Sequence, residues 1–220
     1  MKVQVKICGV NSVEAADATI TAGADFAGLI FHPHSPRHLS AERAKTIATH
    51  LRGRARIVAV FADAGDAEMV AVIAGVKPDL IQLHGSENVE RVAHLKSRFR
   101  LPVIKAIAVA DASDLAAARA FEQVADFFLF DAKAPQGVNR TGGHGIAFDW
   151  NLLSNSAFPH PWFLSGGLNT QNVAQAIAAS RATMVDVSSG VEDAPGKKSP
   201  EKIKAFIRAA REASAVKGAA

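Results

Sequence analysis

Trp162-Phe163-Leu164-Ser165-Gly166-Gly167-Leu168-Asn169-Thr170-Gln171-Asn172-Val173 and, further on, Met184-Val185-Asp186-Val187-Ser188-Ser189-Gly190-Val191-Glu192 decide how this chain is read. Each is a short apolar run that ends in a glycine-bearing turn, and the first turn leads into a helix start. Glycine directly after a strand lets backbone N–H groups crowd around a ligand without a Cβ in the way. A helix N-terminus just downstream adds unpaired donors and a partial positive charge. One such turn would serve chain reversal alone. Two in series, on the C-terminal ends of neighbouring parallel strands, form a cup for a phosphate.

Working outward, the same kind of run recurs along the chain: Val3–Ile7, Phe26–Phe31, Ile57–Phe61, Leu80–Leu83, Val103–Ile107 and Phe127–Phe130 precede Trp162–Ser165 and Met184–Val187. All are rich in Val, Ile, Leu or Phe, as strands buried on both faces are. Ala-rich stretches separate them: Val13–Ala22, Ala41–Leu51, Ala67–Gly75, Val89–Arg98, Leu115–Val124 and Val173–Ser180. Ser12, Ser40, Asn88 and Asn172 mark helix starts, and Gly23, Gly53 and Gly75 mark stops. A last helix is predicted from Pro200 to Glu212 with Ser199 as its N-cap, followed by a disordered tail over 214–220. No linker interrupts the alternation, and no repeat is visible at the level of residues. Eight β units alternating with helices predict an α/β fold with a parallel sheet. Packed into 220 residues, against roughly 250 for the class, they predict a single-domain (β/α)8 TIM barrel over 1–213. An open doubly wound sheet is the rival, and no Gly-x-Gly-x-x-Gly follows the first run to support its dinucleotide-binding form.

Composition narrows the class. Hydrophobic residues are 49% and charged residues 21% of the chain, as in an ordinary globular protein. No apolar run approaches the ~18 residues of a membrane span, and the start looks like a first strand rather than a secretory leader. The one cysteine, Cys8, allows no intrachain disulfide and suits a cytoplasmic protein. The formal charge is +4, but the basic residues are dispersed. That pattern favours an anionic small molecule over nucleic acid. The expected state is a monomer or a weak homodimer.

In a barrel the chemistry belongs at the C-terminal ends of the strands. The first run ends Lys6-Ile7-Cys8-Gly9, where period 2 points Lys6 and Cys8 the same way. A lone cysteine is most often a small buried hydrophobe. At a strand end beside a glycine, its thiolate could act as nucleophile or general base. After the second run, Pro33 and Pro36 stiffen the loop that carries Arg37, whose planar guanidinium suits a carboxylate. His32, His34 and His38 in that loop match no strong metal-ligand spacing, and neither metal nor cofactor is expected. Gln82-Leu83-His84-Gly85 puts His84 at the rim, either touching substrate or bonding to a nearby carbonyl. Asp131 follows four large apolar residues, and desolvation there would raise its pKa and suit it to act as an acid. The long stretch from Ala132 to Gly145 behind it predicts a lid or binding loop. In an eight-strand ring the sixth strand lies three places from the first. Cys8 and Asp131 would then face each other across a ligand whose phosphate sits by the last two strands. An acid and a base so placed suit a proton shuffle within one sugar phosphate.

Taken together, Lys6-Ile7-Cys8-Gly9, Ser35-Pro36-Arg37, Gln82-Leu83-His84-Gly85, Leu129-Phe130-Asp131, Gly166-Gly167-Leu168 and Asp186 to Glu192 make a chain that resembles the phosphoribosylanthranilate isomerases of tryptophan biosynthesis over nearly its whole length. The resemblance implies a cofactor-free barrel that catalyses an Amadori rearrangement. Asp131 would protonate the ribose ring oxygen, and Cys8 would take the C2′ proton. Arg37 would hold the anthranilate carboxylate, His84 would lie at the substrate, and Gly166, Gly167, Ser188, Ser189 and Gly190 would hold the phosphate. Such roles require cationic neighbours to lower the Cys8 pKa and burial to raise that of Asp131. Two positions depart from the family: Gly142-Gly143-His144-Gly145 stands where Gly-Gly-Thr-Gly is usual, and Ser199 where Asp is usual. The alternative is a sugar-phosphate-binding barrel that is non-catalytic or differently specific.

Overall fold

The structure, a computed structural model, describes residues 2–133, 148–154 and 156–216. Eight parallel strands close into one barrel in sequence order: β1 (Gln4–Cys8), β2 (Phe26–Ile30), β3 (Arg56–Phe61), β4 (Leu80–Leu83), β5 (Val103–Val109), β6 (Phe127–Ala132), β7 (Trp162–Leu164) and β8 (Met184–Val187). Around them lie α1 (Val13–Thr21), α2 (Ala41–Leu51), α3 (Asp66–Val76), α4 (Val89–Phe99), α5 (Ala112–Ala118), α6 (Asn151–Ser154), α7 (Val173–Ser180) and α8 (Pro200–Val216). Among the described residues, no helix is long and apolar enough to cross a membrane.

Period 2 divides each strand between two cores. One set, with Phe26, Val58, Leu80, Ile104, Leu129 and Phe163, fills the barrel interior. The other, with Ile7, Leu29, Ala59, Ile81 and Phe128, meets the helices outside. Lys6, Gln82 and Asp186 are polar and buried among the strands. Lys6 is held by Asp186 across the β1–β8 seam at 2.9 Å.

Helix starts follow the side chains that cap them. Ser12, Ser40 and Asn88 each accept a hydrogen bond from a backbone N–H of the first turn. Asn172 does not cap α7; it accepts from Asn169 N and donates to Gly167 O, bracing the glycine turn instead. Gly75 lies inside α3, which Lys77 ends in the left-handed conformation. The predicted Leu115–Val124 helix is two pieces, α5 and a 3-10 turn at Arg119–Phe121, and α5 starts at a capping box of Asp111 and Asp114. A short antiparallel hairpin, β9 (Glu192–Ala194) with β10 (Lys197–Lys198), follows β8. α8 runs past Glu212 to Val216; the rest of the expected tail, 217–220, lies outside the described residues.

The base of the barrel carries a repeat that the sequence reading did not show. Asp25, Asp79 and Asp126 each stand immediately before an even-numbered strand. Each carboxylate accepts from a backbone N–H on the preceding odd strand: Val5 at 2.7 Å, Ile57 at 2.7 Å and Val103 at 2.9 Å. Each aspartate's own N–H returns a bond to that same residue's carbonyl, at 2.9, 2.8 and 2.9 Å. Three strand pairs are thus clamped alike at the end opposite the strand ends that carry Cys8 and Asp131.

Candidate active site

The C-terminal ends of the strands surround a cavity of about 720 Å³ including its open mouth. Of the residues singled out from sequence, Cys8, Arg37, His84, Asp131, Gly166, Gly167, Ser188 and Ser189 line it. Gly190 is not in its wall. It lies in the 3-10 turn Ser189–Val191, where a Cβ would overlap Leu168 O. Its missing side chain lets the turns after β7 and β8 touch, which builds the cup from behind. Gly166 and Gly167 have φ of 88° and 64°, which a side chain would strain. A Cβ on Gly166 would also sit 2.6 Å from Ala132 N at the end of β6. Residues 134–147, with His144 and most of the predicted lid, lie outside the described residues.

Cys8 comes from β1 with its side chain inside the barrel, where Gly28 on β2 leaves it room; a Cβ there would be 2.9 Å from Sγ. Burial pushes the thiol above its ordinary pKa, against the opposing pull of the Lys6 ammonium. The expected lowering by cationic neighbours is therefore corrected: desolvation outweighs the nearby charge. Burial alone would push Lys6 down, yet Asp186 and the thiol hold it above the usual lysine value.

Asp131 is the last residue but one of β6 and lines the same cavity as Cys8. Oδ1 accepts from the N–H of Ala132 at 2.9 Å, and Oδ2 lies 3.3 Å from His84 Nε2. On the far side of that ring, Gln82 Nε2 is 2.8 Å from Nδ1. With the amide donating, Nδ1 accepts and the ring proton sits on Nε2, facing Asp131. His84 is thus tied to Asp131 at the cavity wall, not spent on capping its strand.

Arg37 is buried and already paired. Its Nε and Nη2 donate to Glu192 Oε1 and Oε2 at 2.7 and 2.8 Å, and the group still lines the cavity. Glu192 also takes Lys198 Nζ at 2.7 Å. Burial raises the Glu192 pKa and these two cations lower it; the cations win. Lys6, Gln82, Asp186, Glu192 and Lys198 were given no role from sequence. The period that set Lys6 beside Cys8 was a usable signal; the Arg37–Glu192 pairing spans 155 positions and left none.

A thiol, a carboxyl, two glycine-bearing turns and a paired guanidinium on one cavity wall fit a small anionic substrate with a phosphate and a second acidic group. Comparison with known proteins agrees. The family model for N-(5'phosphoribosyl)anthranilate (PRA) isomerase matches residues 5–209. The N-(5'-phosphoribosyl)anthranilate isomerase of Rhodopseudomonas palustris (strain BisA53) is 51% identical over 96% of this chain and 97% of its own. That of Bradyrhizobium diazoefficiens is 49% identical over 96% and 95%. Among solved structures, the Thermotoga maritima phosphoribosyl anthranilate isomerase superposes with a TM-score of 0.85 at 37% identity, covering 96% of this chain and 99% of that one. A second, solved with reduced 1-(o-carboxyphenylamino)-1-deoxyribulose 5-phosphate bound, gives 0.80 at 35% identity over 96% and 99%. The fold, the cavity and these likenesses agree, and the chain belongs to the N-(5'-phosphoribosyl)anthranilate isomerase family.

Proposed function

We propose that this chain catalyses the Amadori rearrangement of N-(5-phosphoribosyl)anthranilate to 1-(2-carboxyphenylamino)-1-deoxyribulose 5-phosphate, with Asp131 as general acid and Cys8 as general base. The observation that carries the reading is that Cys8 and Asp131 line one cavity whose wall also holds Arg37 and the Gly166–Gly167 and Ser188–Ser189 turns. Asp131 gives its proton to the ribose ring oxygen, the ring opens, and the anthranilate nitrogen becomes a Schiff base. The Cys8 thiolate removes the C2′ proton, and the electron pair moves toward the iminium to give an enolamine. Protonation at C1′ and loss of the 2′-hydroxyl proton complete the ketose. No electrons leave the substrate, and the chain's own acid and base account for every proton moved, resetting through solvent.

The phosphate is held by the turns after β7 and β8, supported by the donors a glycine-rich turn offers. Arg37 takes the anthranilate carboxylate, and His84 orients Asp131. Val70 is the one large hydrophobic side chain exposed among the described residues, which supports a monomer or a weak homodimer.

The test is fluorescence-monitored turnover of phosphoribosylanthranilate by the wild type, Cys8→Ala and Asp131→Ala. Rapid wild-type turnover is expected, with each variant slower by about 10²–10⁴-fold. A wild type that binds the substrate without converting it would make the chain a sugar-phosphate-binding barrel and sink the proposal.

A further inference from the structure

Arg37 is locked in place by groups that the proposed reaction does not use. Its stem lies across Gly9, where a Cβ would overlap Arg37 Cδ. Its guanidinium is gripped by both oxygens of Glu192, and the two side chains are only 5% and 4% exposed. The hairpin that bears Glu192 is itself docked on the same corner. Asn11 donates to Gly196 O at 2.8 Å, Gly196 N donates to Glu192 Oε2 at 3.2 Å, and a Cβ on Gly196 would lie 2.5 Å from Pro36 O.

A guanidinium has five N–H donors. Glu192 occupies one on Nε and one on Nη2, which leaves both on Nη1 and one on Nη2. Those form an end-on fork of the width a carboxylate matches. Glu192 therefore selects which edge of Arg37 a ligand can meet. It also sets the charge. Arg37 and Lys198 bring two positive charges and Glu192 one negative, so the cluster carries one net positive charge for one ligand carboxylate.

The same carboxylate reaches the phosphate cup. Lys198, bonded to Glu192 Oε1 at 2.7 Å, also donates to Ser188 O at 2.9 Å. Ser188 Oγ donates in turn to Cys8 O at 3.1 Å. One buried glutamate thus ties the carboxylate-reading arginine on the β2 loop to the phosphate turn after β8.

We propose that Glu192 is a positioning residue that sets specificity: it presents the end-on edge of Arg37 to an aryl carboxylate and, through Lys198, fixes that edge relative to the phosphate turn. The ligand is then read as two anionic ends at one separation. This rests on the isomerase reading above and deepens it.

The experiment measures binding of reduced 1-(o-carboxyphenylamino)-1-deoxyribulose 5-phosphate, of its phenylamino counterpart lacking the carboxylate, and of inorganic phosphate, by calorimetry, with kcat and KM alongside. The wild type should prefer the carboxylated ligand by about tenfold or more. Glu192→Gln should erase that preference and raise KM by a similar factor, with the phenylamino ligand and kcat changed by no more than about twofold. Lys198→Met should weaken all three phosphate-bearing probes alike. Equal weakening of both organic ligands by Glu192→Gln, or no weakening of either, would overturn the proposal. So would a Lys198→Met protein with unchanged phosphate affinity. Glu192→Asp, which keeps the charge and withdraws it by one methylene, serves if the glutamine variant does not fold, with the same outcomes expected. A wild type without turnover that still shows the Glu192-dependent carboxylate preference would sink the isomerase reading and leave this one standing. A wild type that turns the substrate over but shows no preference would sink this one alone.

Discussion

At the scale of single residues, the Cys8 thiol decides the pH behaviour. Its pKa is pushed up from the ordinary 9.0 because burial outweighs Lys6, so the thiolate that the proposed reaction needs is a minority at neutral pH. A rate carried by that thiolate rises with pH until the thiol has titrated. The Cys8 limb of kcat/KM therefore lies beyond pH 9. Lys6→Met withdraws the charge that restrains the thiol. The limb should move to higher pH, and the rate at neutral pH should fall tenfold for each unit of that movement. Asp186, left buried without its partner, should cost about 3–5 kcal/mol of stability. A pH–rate profile and urea unfolding check both. A limb that does not move would show that Lys6 holds only Asp186.

At the scale of elements, the chain was legible where one side chain acts on its own neighbours. The apolar runs became strands, and Ser12, Ser40 and Asn88 became caps, because those signals lie within a few residues of what they control. Cys8, Asp131 and the two turns after β7 and β8 were legible as cavity lining for the same reason, since each lies at a strand's C-terminal end. The Asp111–Asp114 capping box was equally local and would have placed the start of α5. The β9–β10 hairpin was not legible: strands of three and two residues carry no periodicity. Gly190 was read as part of a phosphate-holding turn; the close approach to the loop after β7 that its missing side chain permits left no signal in the sequence. Its contact with Leu168 predicts that Gly190→Ala pushes the 3-10 turn off the β7 loop and raises KM by about tenfold or more, while Gly65→Ala, into open space, leaves KM unchanged. Steady-state kinetics on both variants test this, and a Gly190→Ala protein with wild-type KM would show that the cup tolerates the shift.

At the scale of the whole molecule, the aspartate clamps and the cavity sit at opposite ends of the barrel. Asp79→Ala removes the acceptor of the Ile57 N–H on a buried strand and should cost about 1–2 kcal/mol, with kcat unchanged; urea unfolding and turnover on one preparation separate the two effects. Reduced kcat in that variant would show that the base and the mouth are coupled. The register carries the clamp further than the chemistry does. Lys6 aligns with Phe26, Val58 with Leu80, and Ile104 with Phe127, and by the same offset Thr183 falls opposite Trp162. The ring is therefore fourfold in its spacing and threefold in its carboxylates, and the odd quarter is the one that carries both turns proposed to hold the phosphate. Each clamp closes within its own quarter. A chain severed between α4 and β5 would keep every one of them intact, so the natural seams for halving, permuting or recombining this barrel run between the quarters and never through them.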